Sequence, residues 1–506
     1  MTDAPSSTNG ALYDTLRDGF AERLDEACMI LDDERSVSYR EVEARSAQVA
    51  TALRSLGVVQ GDRVALHVDK SPEAMLVYLG CLRAGAVFLP LNPAYRAAEV
   101  AYFLGDAEPV LAIGRPEDAE WFDSVAKAAG VRHVSHLAAE GTGSWTELVA
   151  GFVAEAPETA PSGDDLATIV YTSGTTGRSK GAMLTHANLA SNAIALRQIW
   201  GFRDDDVLVH ALPIFHVHGL YVATHTAMLS GIPMRFHQSF RPEHVLADLN
   251  RSTVFMGVPT MFSRLLAQPD LDQASCAAMR LFVSGSAPLL RDTFDEFRRR
   301  TSHTILERYG MTETGMITSN PYDGERKGGT VGIALPGVSV RVVDGERALP
   351  PGEVGDVQVH GPNVLCGYWR RPDKDAEDFT HDRWFRTGDV GVFDADGYLE
   401  LVGRSKDLVI SGGYNVYPKE IELLLDDLPG VVESAVIGLP HADFGEAVTA
   451  VLVVEPGTEI DAPAIIAGLK SRLAPFKVPK SIHVLDELPR NSMGKVQKNL
   501  LREHFA

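Results

Sequence analysis

Cysteine is scarce. The 506 residues include 4, Cys28, Cys81, Cys276 and Cys366, widely spaced and in no CxxC or Cys/His pattern. That excludes a disulfide-framed fold and a zinc site of the usual spacing, and it fits a reducing, cytoplasmic compartment. Long apolar runs are missing too: stretches such as Ala84 to Leu91 fall far short of the roughly 18 residues that a membrane span needs. The N-terminus has Asp3 and a polar run to Gly10 where an export signal would need a basic start and an apolar stretch, so none is expected. Positive charge is in deficit, with 47 Lys and Arg against 68 Asp and Glu for a net of −21. This argues against broad binding to nucleic acid or anionic membranes. A polyanionic ligand must therefore find a locally basic pocket.

What is present is an ordinary globular balance, 45% hydrophobic and 23% charged residues, long enough for about three domains or one large domain with a satellite. Amphipathic helical patterns at Tyr39 to Leu56 and Ala74 to Ala84 alternate with short apolar runs at Arg63 to Val68 and Val87 to Leu91. Such alternation predicts a parallel α/β sheet with covering helices. A Pro/Ala/Glu/Ser-rich stretch, Ala154 to Asp165, reads as a surface linker before the apolar strand Leu166 to Tyr171. From Val331 to Val402 short apolar runs (Val338 to Val343, Val354 to Val359, Tyr398 to Val402) are separated by Gly, Pro and Asp, the texture of a small antiparallel, barrel-like β unit. The last hundred or so residues pair a helix at Pro418 to Leu428 with strands at Glu433 to Gly438 and Ala447 to Glu455, an α+β pattern of its own. The expected division is a large α/β domain, 1–403, and a small α+β C-terminal domain, 404–506.

The segment Tyr171-Thr-Ser-Gly-Thr-Thr-Gly-Arg-Ser-Lys-Gly181 follows a buried-looking strand and crowds hydroxyl residues around glycines. Backbone N–H groups, Thr172, Ser173, Thr175 and Thr176 hydroxyls and the Lys180 charge can wrap phosphate oxygens, with Gly174 and Gly177 allowing close approach. It is not a GxxxxGK(S/T) loop, because counting from Gly174 puts Ser179 where the second glycine belongs. From Lys470 to Arg502 eight Lys and Arg face only Asp486 and Glu487, a locally basic stretch in an acidic chain. Such a run is usually a solvated face.

The glycine-rich segment resembles the phosphate loop of the adenylate-forming superfamily of acyl-CoA synthetases, adenylation domains and luciferases. Further segments resemble the same family in the same order: Leu212-Pro-Ile-Phe-His-Val-His-Gly-Leu220, Ser284-Gly-Ser-Ala-Pro288, Tyr309-Gly-Met-Thr-Glu-Thr314, Arg386-Thr-Gly-Asp389, Gly403-Arg-Ser-Lys-Asp407 with Gly412-Gly413, and Pro489-Arg-Asn-Ser-Met-Gly-Lys495. The resemblance implies an ATP-dependent acid–thiol ligase that forms an acyl-AMP and then a thioester. It implies Mg2+ as cofactor, with ATP and coenzyme A as co-substrates. Since two anions must meet, positive charge and Mg2+ have to offset their repulsion as pyrophosphate leaves.

By that resemblance Glu313 binds Mg2+ and Thr312 holds phosphate oxygens. Tyr309, Gly310 and the small wall Ser286, Ala287 and Pro288 sandwich adenine. Asp389 accepts the ribose hydroxyls beside Arg404. Lys495 bridges carboxylate and α-phosphate, the main catalytic position, and Lys406 is the hinge about which a mobile C-terminal domain rotates between half-reactions. Gly413 borders the pantetheine tunnel, and His216 gates thiol entry. Coenzyme A is favoured over a carrier protein because no carrier domain follows before Ala506. Lys495 is also an essential, exposed lysine by resemblance, which makes a protein lysine acetyltransferase and deacetylase expected partners.

The stretch Arg404 to Glu420, with Pro440-His-Ala-Asp-Phe-Gly-Glu446 and Glu307-Arg-Tyr-Gly-Met-Thr-Glu-Thr314, most closely resembles the malonyl-CoA synthetase branch. Malonate's second carboxylate needs a buried partner, and an arginine fork suits it. Arg280, just before Ser284-Gly285, is the candidate together with His218. Arg235 and Arg251 are further candidates. Methylmalonate, larger by one methyl, is expected to be accepted. The alternatives are another short-chain acid or a non-catalytic acyl-adenylate or acyl-CoA binding protein. The last should have lost Lys180, Glu313 or Lys495, and all three are present.

Overall fold

A computed structural model of the chain describes residues 10–154, 160–172, 179–411, 414–441, 444–470, 472–491 and 494–506. Two compact units emerge: Met1–Gly328 with Ala334–Ser339 and His360–Phe379, and Gly329–Ile333 with Val340–Val359 and Thr380–Ala506.

The first unit is a mixed α/β body built on two sheets. One has its strands in the order Gly315–Ser319, Leu306–Met311, Leu281–Ser284, Val254–Gly257, Leu208–His210, Met234–Phe236, Ala27–Leu31, Ser36–Ser38. Its central pairs are parallel, while Leu306–Met311 with Gly315–Ser319 and Ala27–Leu31 with Ser36–Ser38 pair antiparallel. The other runs Gly367–Tyr368, Lys180–Thr185, Leu166–Thr172, Val87–Pro90, Arg63–His67, Leu111–Gly114, His133–His136. The expected helices form where local chemistry starts and stops them. Ser38 and Glu41 close a capping box on Tyr39–Ser55, while Ser71 caps Pro72–Ala84, which ends at Gly85 in the left-handed region. Continuous apolar strands such as Val87–Pro90, wholly buried, belong to a sheet covered on both faces. No helix among the described residues is long and apolar enough to cross a membrane.

The second unit contains a five-stranded sheet, Arg347–Ala348, Ser339–Asp344, Gly355–His360, Phe385–Phe393 and Leu399–Arg404 in that order. Its C-terminal part is the expected α+β pattern, the long antiparallel pair Val431–His441 and Gly445–Val454 packed by Pro418–Asp426. The compact units differ from the expected division at residue 403, because the antiparallel strands cluster with the C-terminal segment. The local reason is continuity: Leu399–Arg404 runs into the turn Ser405–Asp407, where the Ser405 hydroxyl donates to Asp356 at 2.8 Å.

Candidate functional site

The hairpin Leu306–Met311 and Gly315–Ser319 presents Thr312 and Glu313 in its turn. Asn192 clasps the turn, its amide donating to the Met316 carbonyl (2.8 Å) and its oxygen accepting from the Met316 N–H (3.0 Å). Gly310 is obligatory there, since a Cβ would lie 2.1 Å from the Gly315 carbonyl. Tyr309 is buried, Thr312 half-buried, and the Glu313 carboxylate 6% exposed.

Tyr368, which sequence reasoning missed, ties this turn to the end of the glycine-rich loop. Its hydroxyl donates to Glu313 at 3.3 Å and its ring lies 4.0 Å beneath the Lys180 ammonium, which pairs with Asp378 at 2.6 Å. Burial, then Glu313 and Asp378, raise the Tyr368 pKa, so it stays a donor. The only sequence signal was an aromatic pair, Tyr368-Trp369, after Gly367. The Thr172 hydroxyl donates to the Lys180 carbonyl. Ser173, Gly174, Thr175, Thr176, Gly177 and Gly413 lie outside the described residues. Oxygen donors on one turn, Glu313 and Thr312, suit a hard cation such as Mg2+.

On the adjoining strands a charged pocket is built around Arg308, a second residue missed from sequence. Arg308 is 3% exposed, its Nε and Nη2 have no hydrogen-bond partner, and no carboxylate among the described residues pairs with it. Desolvation lowers its pKa to about 9, so it remains a cation at neutral pH. Register aligns Ser284 with Glu307 on parallel strands, and the guanidinium lies on Gly285, where a Cβ would come 2.5 Å from its Cζ and Nη1.

His216 and His218 line the same place. Burial first, then Arg308, pushes His216 down to about 4 and His218 well below its ordinary value. Both are therefore neutral at pH 7. The His218 N–H donates to His216 Nδ1 at 3.3 Å, which leaves the His216 proton on Nε2. His218 Nδ1 is 3.3 Å from the Ser286 hydroxyl, and Ser286 is one of the few non-glycine residues in the left-handed region, φ 73°. Ala287 is half-buried and Pro288 exposed. A buried cation facing neutral imidazoles can hold a carboxylate.

Arg280 is not part of this group, which corrects the sequence expectation. It precedes Leu281–Ser284 at the N-terminal end, whereas Gly285 and Ser286 follow at the other, about 17 Å or more away at about 3.3 Å per residue. Its Nε donates to Asp206 at 2.7 Å, its Nη2 pairs with the same carboxylate, and Tyr322 lies beneath it at 4.9 Å. Arg235 and Arg251 are likewise engaged by Asp248 and Glu34.

In the second unit the register sets Asp389 opposite Arg404, and Arg404 Nε donates to Asp389 at 2.9 Å. Lys495 lies in a tight loop where Asn491 accepts its N–H and donates to its carbonyl, both at 3.0 Å. Burial and then Arg404 push its pKa down to about 8, against an opposing pull from Asp389. Lys406 is held near 8 by desolvation and Arg404. Half of the basic stretch is structural: Lys477, Arg490, Lys498 and Arg502 pair with Glu420, Glu433, Glu422 and Asp407.

The AMP-binding enzyme family matches residues 17–369, and the AMP-binding enzyme C-terminal domain matches residues 420–495. The chain is 37% identical to a feruloyl-CoA synthase from an Amycolatopsis species, over 93% of this chain and 94% of that one. It is 33% identical to a malonate–CoA ligase from Arabidopsis thaliana, over 98% and 90%. The crystal structure of ATP-bound MatB from Rhodopseudomonas palustris superposes with a TM-score of 0.96 at 50% identity, covering 98% of this chain and 99% of that one.

Proposed function

The chain belongs to the AMP-binding enzyme family, and from that membership and the pocket chemistry we propose that it is an AMP-forming malonate–CoA ligase. A malonate carboxylate oxygen attacks the α-phosphorus of ATP, the bond to the β-phosphate breaks, and pyrophosphate leaves with malonyl-AMP formed. The thiolate of coenzyme A then attacks the malonyl carbonyl, and AMP departs with the former acid oxygen. The observation that carries the choice of acid is Arg308, a buried guanidinium with no carboxylate partner among the described residues.

In this reading Arg308 takes the distal carboxylate, and the neutral His216 and His218 bound the acid without adding a charge that would draw in the reacting carboxylate. Glu313 and Thr312 would hold Mg2+, which offsets phosphate charge as the α–β bond breaks. Lys180 binds phosphate after exchanging its Asp378 partner for it, and Tyr309 with Ser286 and Ala287 takes adenine. Asp389 and Arg404 hold the ribose, and the Lys495 ammonium offsets charge at the α-phosphate. Lys406 serves as the hinge for residues 404–506, and acetylation of Lys495 would abolish the first half-reaction by removing its charge. The relatives named for malonate and MatB support this assignment.

The test is product analysis with Mg-ATP and coenzyme A over malonate, methylmalonate, propionate, acetate and ferulate. Malonyl-CoA, AMP and pyrophosphate in equal amounts, at a kcat/KM far above that for the monocarboxylates, is expected. Ferulate or acetate as the best acid would overturn the malonate assignment while keeping the ligase class.

A further inference from the structure

Lys70 is a buried lysine that none of the chemistry above uses. It lies between strand Arg63–His67 and helix Pro72–Ala84, 7% exposed, with no carboxylate in ion-pair contact among the described residues. Burial pushes its pKa well below the ordinary lysine value, and its nitrogen is held by three neighbours: it donates to the His210 carbonyl at 2.7 Å, faces His210 Nδ1 at 2.8 Å and lies 4.1 Å over the Phe236 ring.

The other side of His210 fixes which way the protons run. His210 Nε2 is 3.0 Å from the Gly219 carbonyl, which can only accept, so Nε2 carries the proton. Burial, with Lys70 next to it, keeps the ring neutral, so Nδ1 is a bare acceptor and Lys70 must donate to it. Thr224 completes the arrangement, its hydroxyl 3.1 Å from Nε2 and donating to the same carbonyl at 3.1 Å.

That carbonyl belongs to the first turn of an unusual element. Residues His218–Thr224 form a π-helix, a rare, wider turn that is frequent at functional sites. Gly219 allows it to press against the preceding loop, since a Cβ there would lie 2.1 Å from the Pro213 carbonyl. His218 immediately precedes Gly219, and His216 lies two residues earlier with its carbonyl accepting the Leu220 N–H of the turn at 3.0 Å; both imidazoles face Arg308.

We propose that Lys70 is a positioning residue of the acid pocket: by fixing His210 in its Nε2–H form it pins the Gly219 carbonyl, and with it the π-helical turn that holds His216 and His218 against Arg308. This inference rests on reading that group as the acid pocket. It predicts a selective effect, because apart from Ser286, whose hydroxyl is 3.3 Å from His218 Nδ1, the residues assigned to ATP hang on other elements.

In Lys70→Met the chain keeps its stem against Phe236 but loses its donors. The acid KM should rise at least tenfold, read by acid-dependent exchange of pyrophosphate into ATP, while the KM for ATP stays within about twofold. An unchanged acid KM, or acid and ATP KM rising together, would overturn the proposal in favour of a merely structural lysine. His210→Gln, whose amide N–H can still reach the Gly219 carbonyl, should retain more acid affinity than His210→Leu; equal losses would count against it.

Should neither lysine nor histidine variant fold, nitrogen NMR of histidine-labelled wild type decides, with Nε2–H expected at His210 and Nδ1–H contradicting the proposal. The acid used is the wild type's best substrate. A preference for something other than malonate would thus fail the functional reading alone, and the Lys70 effect would still be scored.

Discussion

Replacing Arg308 by Met should collapse discrimination between malonate and propionate. The guanidinium is 3% exposed and lies on Gly285 with two nitrogens lacking a hydrogen-bond partner, so a carboxylate brought to it meets a desolvated, undivided charge. Removing one member of a buried, hydrogen-bonded charge pair costs about 2–5 kcal/mol, or about 30- to 4000-fold in kcat/KM at 1.4 kcal/mol per decade. Propionate places a methyl group where malonate places its distal carboxylate and leaves Arg308 unpaired in the wild type, so the variant should handle it as well or better. The assay is the initial rate of AMP formation with each acid at saturating Mg-ATP and coenzyme A, with near-ultraviolet circular dichroism to verify packing. Arg308→Lys should fall between, since it keeps charge but loses the fork. Equal loss on both acids, or a malonate rate within a fewfold of wild type, would refute the assignment.

Gly285→Ala should lower malonate kcat/KM tenfold or more with little change in the KM for ATP, because the added Cβ displaces the Arg308 guanidinium; parallel kinetics with both substrates check it. Arg280→Ala should lower the melting temperature without altering acid preference, since it strands the buried Asp206 carboxylate at about 3–5 kcal/mol. A changed malonate-to-propionate ratio would restore Arg280 to the pocket. The rate of adenylation should fall as pH rises through about 8, where Lys495 loses its proton, and stay level from pH 6 to 7, where His216, held near 4, is already neutral. Acid should also destabilise the fold. His186 and His225, held near 4 and 3 by burial, stay neutral when folded but take up protons once unfolded below about 6.5. Each therefore removes up to about 1.4 kcal/mol per pH unit as pH falls from there toward its folded value, which thermal melts between pH 7 and 5 would detect.

Element boundaries were legible where chemistry is local. The helical patterns at Tyr39 to Leu56 and Ala74 to Ala84 became the helices Tyr39–Ser55 and Pro72–Ala84, and the apolar runs at Arg63 to Val68, Val87 to Leu91, Leu166 to Tyr171 and Glu433 to Gly438 fell on strands. Motifs whose residues share one hairpin were legible as groups, as Thr312 and Glu313 on one turn, or Asp389 and Arg404 across one register. The charged pocket was not. Arg308 stood inside a quoted motif, but its burial depends on Gly285 of a neighbouring strand, a pairing that no local pattern encodes. Arg280 was misread for the converse reason, since nearness in sequence to Ser284 became distance along an extended strand. Tyr368 reaches Glu313 from an edge strand 55 residues further along the chain, with nothing in the intervening sequence to announce it.

A crystal structure of the protein soaked with malonate and a non-hydrolysable ATP analogue would show which residue holds the distal carboxylate. One malonate carboxylate is expected at hydrogen-bond distance, about 2.7–2.9 Å, from the Arg308 guanidinium, with the other facing the α-phosphate. Malonate bound away from Arg308, or Arg308 turned onto a protein carboxylate with the acid elsewhere, would contradict the Arg308 assignment.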